Sequence, residues 1–117
     1  MRREYHSWHS PRLNRQMELL EYGDRGRPLL AFPTSSGRFF DYENFGMVNA
    51  LRNKLDQGEV HLFCVDSVDS ESFYAKWKRP ADRIVRHLEY ESYIIEEVMP
   101  LIRNHNPTPY LAVTGNS

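Results

Sequence analysis

Apolar residues in this chain fall into short blocks whose spacing switches between the two-residue period of strands and the three-to-four-residue period of helices. Glu4 to Ser10 alternates aromatic and polar side chains loosely, and Arg15 to Tyr22 reads Arg-Gln-Met-Glu-Leu-Leu-Glu-Tyr. The pattern predicts two antiparallel strands joined through Pro11-Arg12-Leu13-Asn14. A turn follows at Gly23-Asp24-Arg25-Gly26, and then comes the apolar stretch Pro28-Leu29-Leu30-Ala31-Phe32-Pro33. A run with no polar alternation is what a strand buried on both faces of a sheet requires, so this segment is a candidate central strand.

Past the small-residue loop Thr34-Ser35-Ser36-Gly37, Asp41 is placed to cap a helix running from about Tyr42 to Leu55. Tyr42, Phe45, Val48, Leu51 and Leu55 recur at helical spacing, and Gly58 supplies a stop. Glu59 to Asp66 predicts a second apolar strand, which makes the intervening helix a parallel crossover. From Ala81 to about His105 the apolar positions, among them Ile84, Leu88, Ile95, Val98 and Ile102, predict another helix. Pro100 should kink it or restart it as a new first turn, and Asn106-Pro107-Thr108-Pro109 ends it. Tyr110 to Thr114 then reads as a third buried strand running into Gly115-Asn116-Ser117. The succession strand, strand, then strand-helix-strand-helix-strand predicts an α/β sheet with an antiparallel entrance and a parallel centre. A central strand with no helix after it leaves an edge and parts of both faces bare, so residues 1–117 read as an unfinished part of one domain.

Composition narrows the function. The chain has 117 residues, 40% hydrophobic and 26% charged, which fits one globular domain and excludes a disordered or collagenous polypeptide. With 15 Lys+Arg against 16 Asp+Glu the net charge is −1, so no basic surplus exists to neutralise a phosphate backbone, and nucleic acid is not an expected partner. The short cluster Lys76-Trp77-Lys78-Arg79 on a neutral chain reads as a solvated turn. The charged N-terminus leads into no apolar segment, and no run of about 18 apolar residues occurs, so a soluble cytoplasmic protein with no membrane contact is expected. The single cysteine, Cys64, lies in Val60-His61-Leu62-Phe63-Cys64-Val65 and reads as a small core residue. His6 and His9 lack a matching second ligand pair, and His61, His87 and His105 are scattered, so structural roles and no metal site are expected. The acidic loop Asp66 to Ser72 lacks the glycine and terminal glutamate of a calcium loop.

Gly115-Asn116-Ser117 after an apolar strand matches the first three positions of Gly-x-Ser-x-Gly, in which serine sits on a sharp strand-to-helix turn and small neighbours relieve the crowding. Gly-x-Ser alone is common, but its place after two strand-helix units sharpens it. Here the sequence resembles the α/β-hydrolase superfamily, and within it the bacterial esterases of the esterase D and antigen-85-like group. Phe32-Pro33-Thr34-Ser35-Ser36-Gly37 is similar to the family loop that supplies one oxyanion-hole amide. Glu91 to Ile102, including Glu97-Val98-Met99-Pro100, resembles the helix before the nucleophile strand, and Thr114-Gly115-Asn116-Ser117 resembles the elbow. The resemblance spans nearly the whole chain but only about the first half of a family domain.

The resemblance implies a three-layer αβα domain when complete, and hydrolysis of a small carboxylic ester through an acyl-enzyme at Ser117, without metal or organic cofactor. Backbone amides of Ser35 or Ser36 would serve the oxyanion, with Thr34 and Gly37 beside them. The acid and histidine follow the serine in this fold, so a complementary segment or chain is expected to supply both. Ligands of parallel sheets sit at the C-terminal ends of strands, which places Thr34 and, with Phe73 and Tyr74, Trp77 on the pocket rim as candidate substrate contacts. An acyltransferase or thioesterase on the same scaffold, and a non-catalytic binding domain that keeps the pocket, are the alternatives.

Overall fold

A computed structural model describes residues 2–32, 47–66, 80–108 and 111–115. These residues form a five-stranded mixed sheet from β1 (Arg3–Ser10), β2 (Arg15–Tyr22), β3 (Arg27–Phe32), β4 (Val60–Val65) and β5 (Ala112–Gly115), in the spatial order β1-β2-β4-β3-β5. The β1–β2 and β2–β4 pairs are antiparallel, whereas β3 pairs parallel with β4 on one side and β5 on the other. The expected antiparallel entrance and parallel centre are therefore present, and the apolar run Pro28 to Phe32 does occupy a strand with neighbours on both sides.

Local chemistry sets the two turns. Asn14 takes the left-handed conformation, φ 52°, which asparagine tolerates, and its N–H donates to the Ser10 carbonyl at 2.7 Å. That turn fixes the β1–β2 register from Ser10 opposite Arg15 to Arg3 opposite Tyr22. Gly26 has φ +106°, and a Cβ there would lie 2.6 Å from the Gly58 carbonyl oxygen and 2.7 Å from the Val60 nitrogen. The glycine lets the turn before β3 press against the turn before β4, where Arg27 N–H donates to the Glu59 carbonyl at 3.1 Å.

The crossover between β3 and β4 contains α1 (Met47–Ala50) and α2 (Arg52–Asp56) in place of one continuous helix. Leu51 separates them with φ −93° and ψ 0°, and Asp41 and Tyr42 lie outside the described residues. Gly58, at φ +72°, closes α2 as expected, its N–H donating to the Leu55 carbonyl. The long helix is divided as α3 (Pro80–Tyr93), a π-helical turn (Ile94–Val98) and α4 (Met99–His105). Pro100 has no N–H to give back to the preceding turn and its ring crowds that turn's carbonyls, and the wider π turn directly before it accommodates both. Among the described residues, no helix is long and apolar enough to cross a membrane.

The central strands are covered on both faces, while β1 and β5 keep exposed side chains such as Tyr5 and Val113. On one face, Met17, Leu19, Leu30, Phe63 and Val65 pack against Tyr90, Tyr93, Val98 and Ile102 of the long helical segment. On the other, Leu20, Tyr22, Ala31, Leu62 and Cys64 pack against Val48 and Leu55. The alternation along β2 and β4 assigns successive residues to opposite layers, and Cys64 is a buried core residue of the second. A carboxylate fastens β1 to the helical layer. Glu97, in the π turn, accepts from Trp8 Nε1 at 2.9 Å, from Ser10 Oγ at 2.7 Å and from the Arg12 N–H at 3.3 Å. Ser10 Oγ in turn accepts from the Leu13 N–H at 3.1 Å, and the Trp8 ring stacks on Tyr93 with centroids 5.9 Å apart.

Two consequences follow for stability. Gly26→Ala forces both a left-handed alanine and a backbone collision, so equilibrium urea unfolding of the full-length protein should show a loss of more than about 1 kcal/mol. Glu97→Ala strands three donors, one on the half-buried Trp8 and one on the buried Ser10, and should cost about 2–3 kcal/mol by the same measurement. Glu97→Gln, which keeps an acceptor oxygen, should recover part of that loss.

Candidate functional site

Three parallel strands end together at one edge of the sheet. Phe32, the last residue of β3, is the register partner of Gly115, the last residue of β5, and Ala31 pairs with Thr114. On the other side of β3, Ala31 pairs with Cys64, one residue before the end of β4 at Val65. Adjacent strands lie about 4.8 Å apart. The sequences that continue from β3, Pro33-Thr34-Ser35-Ser36, and from β5, Asn116-Ser117, therefore depart from neighbouring points on the same edge. Ser117, Ser35, Ser36, Thr34, Gly37 and Trp77 themselves lie outside the described residues.

The described part of this edge is apolar with a few buried polar groups. Asp66, just past β4, is fully buried, and its carbonyl accepts the Tyr90 hydroxyl proton. Burial pushes the Tyr93 hydroxyl pKa up, and the nearby carboxylates Glu97 and Asp66 add to the effect, so this phenol stays protonated at any working pH. Beside it runs an open groove lined mostly by apolar side chains, among them Phe32, Ile95, Met99, Leu111 and Val113, and by Arg103. Two of its walls are bare: Ile95 is 64% exposed and Val113 60%.

A second constellation occupies the opposite edge, where the parallel strands begin, and sequence reasoning missed it. Glu21 is 1% exposed and faces imidazoles on three sides. Its Oε1 lies 2.8 Å from His6 Nε2 and 2.9 Å from His105 Nδ1, while Oε2 lies 2.5 Å from His61 Nε2. Asn106, just past α4, orients the last of these: its Nδ2 donates to the Gly26 carbonyl at 2.9 Å and to His61 Nδ1 at 3.0 Å, and its Oδ1 accepts from the Thr108 N–H. With Nδ1 accepting, His61 carries its proton on Nε2 and donates to Glu21. Burial alone would raise the Glu21 carboxyl pKa, but the hydrogen bonds from His6 and His61 and the nearby His105 outweigh it and hold the group below the ordinary carboxylate range.

His6, on the edge strand β1, is thus a partly buried member of a cluster, whereas His9 on the same strand is exposed. His61 and His105, 44 residues apart in sequence, meet on one carboxylate because β4 and the end of α4 share this edge. A signal was present in the sequence. His61 interrupts an otherwise apolar strand and Glu21 follows Leu19-Leu20 in the buried half of β2, and a polar group in a strand buried on both faces needs a partner. His87 lies apart from this cluster, 3.4 Å from Glu91 one helical turn on.

Comparison with known proteins identifies the fold. No family model matches the chain, and no curated protein matches it. Solved structures do. An S-formylglutathione hydrolase from Agrobacterium tumefaciens superposes with a TM-score of 0.71 at 16% identity over 98% of this chain. A ferulic acid esterase gives 0.66 at 12% identity over 97% of the chain, and the enterobactin esterase of Shigella flexneri gives 0.54 at 13% over 96%. The chain spans 48% of the length of the first two and 27% of the third. Its mixed five-stranded sheet matches the N-terminal half of the α/β-hydrolase fold.

Proposed function

We propose that this chain is the front half of a serine carboxylic-ester hydrolase, with Ser117 as nucleophile. The observation that carries the reading is the parallel register of Phe32 with Gly115, which starts the Thr34-Ser35-Ser36 segment and the Asn116-Ser117 segment from adjacent strand ends. An oxyanion hole and a nucleophile must lie within a few ångströms of one carbonyl group, and neighbouring strand ends are where such a pair can be built. The similarity in fold to three hydrolases and esterases supports the same assignment.

In this mechanism the Ser117 hydroxyl attacks the ester carbonyl while a histidine accepts its proton. The carbonyl oxygen becomes an oxyanion held by the backbone N–H of Ser35 or Ser36. Collapse expels the alcohol, which takes its proton from the imidazolium, and water then releases the acid by the reverse sequence. Thr34 and Trp77 serve as substrate contacts on the rim. The catalytic histidine and the acid that orients it come from a segment or chain that completes the sheet. The exposed Ile95 and Val113, with the apolar groove between them, give that segment a surface to cover. The place of action in this reading is the bacterial cytoplasm.

Full-length protein carrying the segment beyond Ser117 should hydrolyse a p-nitrophenyl ester and be labelled by a fluorophosphonate. Ser117→Ala should abolish the labelling and lower kcat by about 10⁴-fold or more. Retained labelling in that variant would move the nucleophile elsewhere, and absence of both activity and label in the unsubstituted full-length protein would reduce the pocket to a binding site.

A further inference from the structure

We propose that Glu4, His6, Glu21 and His105 form a binding site for a divalent transition-metal ion of the zinc type, at the sheet edge remote from the strand ends that lead towards Ser117. Each residue offers one ligand atom, and the four atoms lie within 4.8 Å of one another. Two imidazole nitrogens with one or two carboxylate oxygens is a donor set suited to zinc, which takes four ligands in a tetrahedron. Zinc bonds of about 2.0–2.1 Å place tetrahedral ligands about 3.3 Å apart. His6 Nε2 stands 2.8 Å from Glu21 Oε1 and 3.9 Å from Glu4 Oε2, and His105 Nδ1 stands 2.9 Å from Glu21 Oε1. Those three pairs reach the tetrahedral spacing by side-chain adjustments of about half an ångström, and the widest pair, within 4.8 Å, closes by no more than about 1.5 Å.

Three features favour an ion over a purely hydrogen-bonded cluster. First, Glu4 and Glu21 are direct cross-strand partners on one face of the β1–β2 pair, a placement that repels unless a cation lies between them. Among the described residues the only fixed cation paired with either is Arg2, which holds Glu4 from an exposed position. Second, both His6 and His105 point a ring nitrogen at the same oxygen of Glu21, from different elements of the fold. Third, the other oxygen is already committed. His61 donates to Oε2 and is itself fixed by Asn106, which is the outer shell that orients a ligating carboxylate.

Access is open on one side. Glu21 is sealed at 1% exposure, but the side chains of His105 and Glu4 are 31% and 38% exposed, so an ion reaches the site without unfolding the sheet. The negative end of the long helical segment, at His105, faces the same point and adds to the attraction for a cation. The site uses none of the residues assigned to ester hydrolysis, so it stands or falls separately from that assignment.

The test uses tag-free full-length protein stripped with a chelator and titrated with zinc chloride alone and with cobalt chloride alone. Calorimetry should give one zinc per chain, cobalt should develop the intense visible bands of a tetrahedral complex, and zinc should raise the melting temperature. His6→Gln and His105→Gln should each weaken zinc binding by about 10-fold or more and suppress the cobalt bands, whereas His9→Gln should change neither. Circular dichroism identifies which variants are folded, and His105→Gln, altering a partly exposed side chain, provides the comparison should His6→Gln fail to fold. Absence of stoichiometric zinc binding by the folded wild-type chain, or binding indifferent to substitution of His105, would overturn the assignment and leave the cluster as a hydrogen-bonded anchor.

Discussion

The backbone hydrogen bonds of β3 run to β4 on one side and to β5 on the other, both in parallel, and parallel strands cannot be joined by a tight turn. Each return must cross a face of the sheet. The segment carrying α1 and α2 covers the face of Leu62 and Cys64, and the helical segment from Pro80 to His105 covers the face of Phe63 and Val65. Covering both faces is what allows β3 and β4 to be almost wholly apolar, and the apolar runs hold the register, because a one-residue slip would exchange the side chains of the two layers. The same parallelism brings the C-terminal ends of the strands to one edge. Whatever chemistry the chain performs there depends on backbone pairing several residues away from it.

Much of this architecture was legible from spacing alone. The boundaries of β2 and the centre of β3 follow from the blocks Arg15 to Tyr22 and Pro28 to Phe32, and Pro100 marked where the long helix restarts. Other features were not legible, for identifiable reasons. Periodicity reports which face a residue occupies but not which strand lies beside it, so the insertion of β4 between β2 and β3 could not be read. The break at Leu51 leaves the apolar spacing of the helix nearly intact, and a pattern search passes over it. The π turn had a stated cause in Pro100, but periodicity could only announce a disturbance, not its form. The residues proposed for ester hydrolysis were found by motif and by their position at strand ends, since nothing in their spacing pairs Ser35 or Ser36 with Ser117.

The polar contacts within the layer of Met17, Leu19 and Phe63 were the least visible. Glu21 and Glu97 both serve it, one from β2 and one from the π turn, and each has at least one partner more than 80 residues distant in sequence. Glu97 receives Trp8 and Ser10 from β1, while Glu21 receives His105 from the end of the long helical segment. The two therefore fasten the β1–β2 pair and the helical layer to each other near opposite ends of β1. Buried carboxylates are costly unless every oxygen is satisfied, so they discriminate against misaligned packing more strongly than the surrounding apolar contacts, which tolerate sliding.

The placement of Glu21 bears on the other edge of the sheet as well. Asn106 ties the end of α4 to the Gly26 carbonyl, directly before β3, and to His61 near the start of β4. The chain then has only residues 107–111 in which to reach β5 at Ala112. A short connection from a fixed point leaves little freedom in where β5 begins, and the ladder with β3 carries that position forward to the Phe32–Gly115 pair. Ligands of parallel sheets bind beyond the C-terminal strand ends, where loops must be free to take the shapes that chemistry requires. Rigid polar clamps are best accommodated at the opposite edge, where they define the strand origins without crowding the pocket. A cluster that looks remote from any reaction thus determines how accurately the two proposed catalytic segments can be aligned.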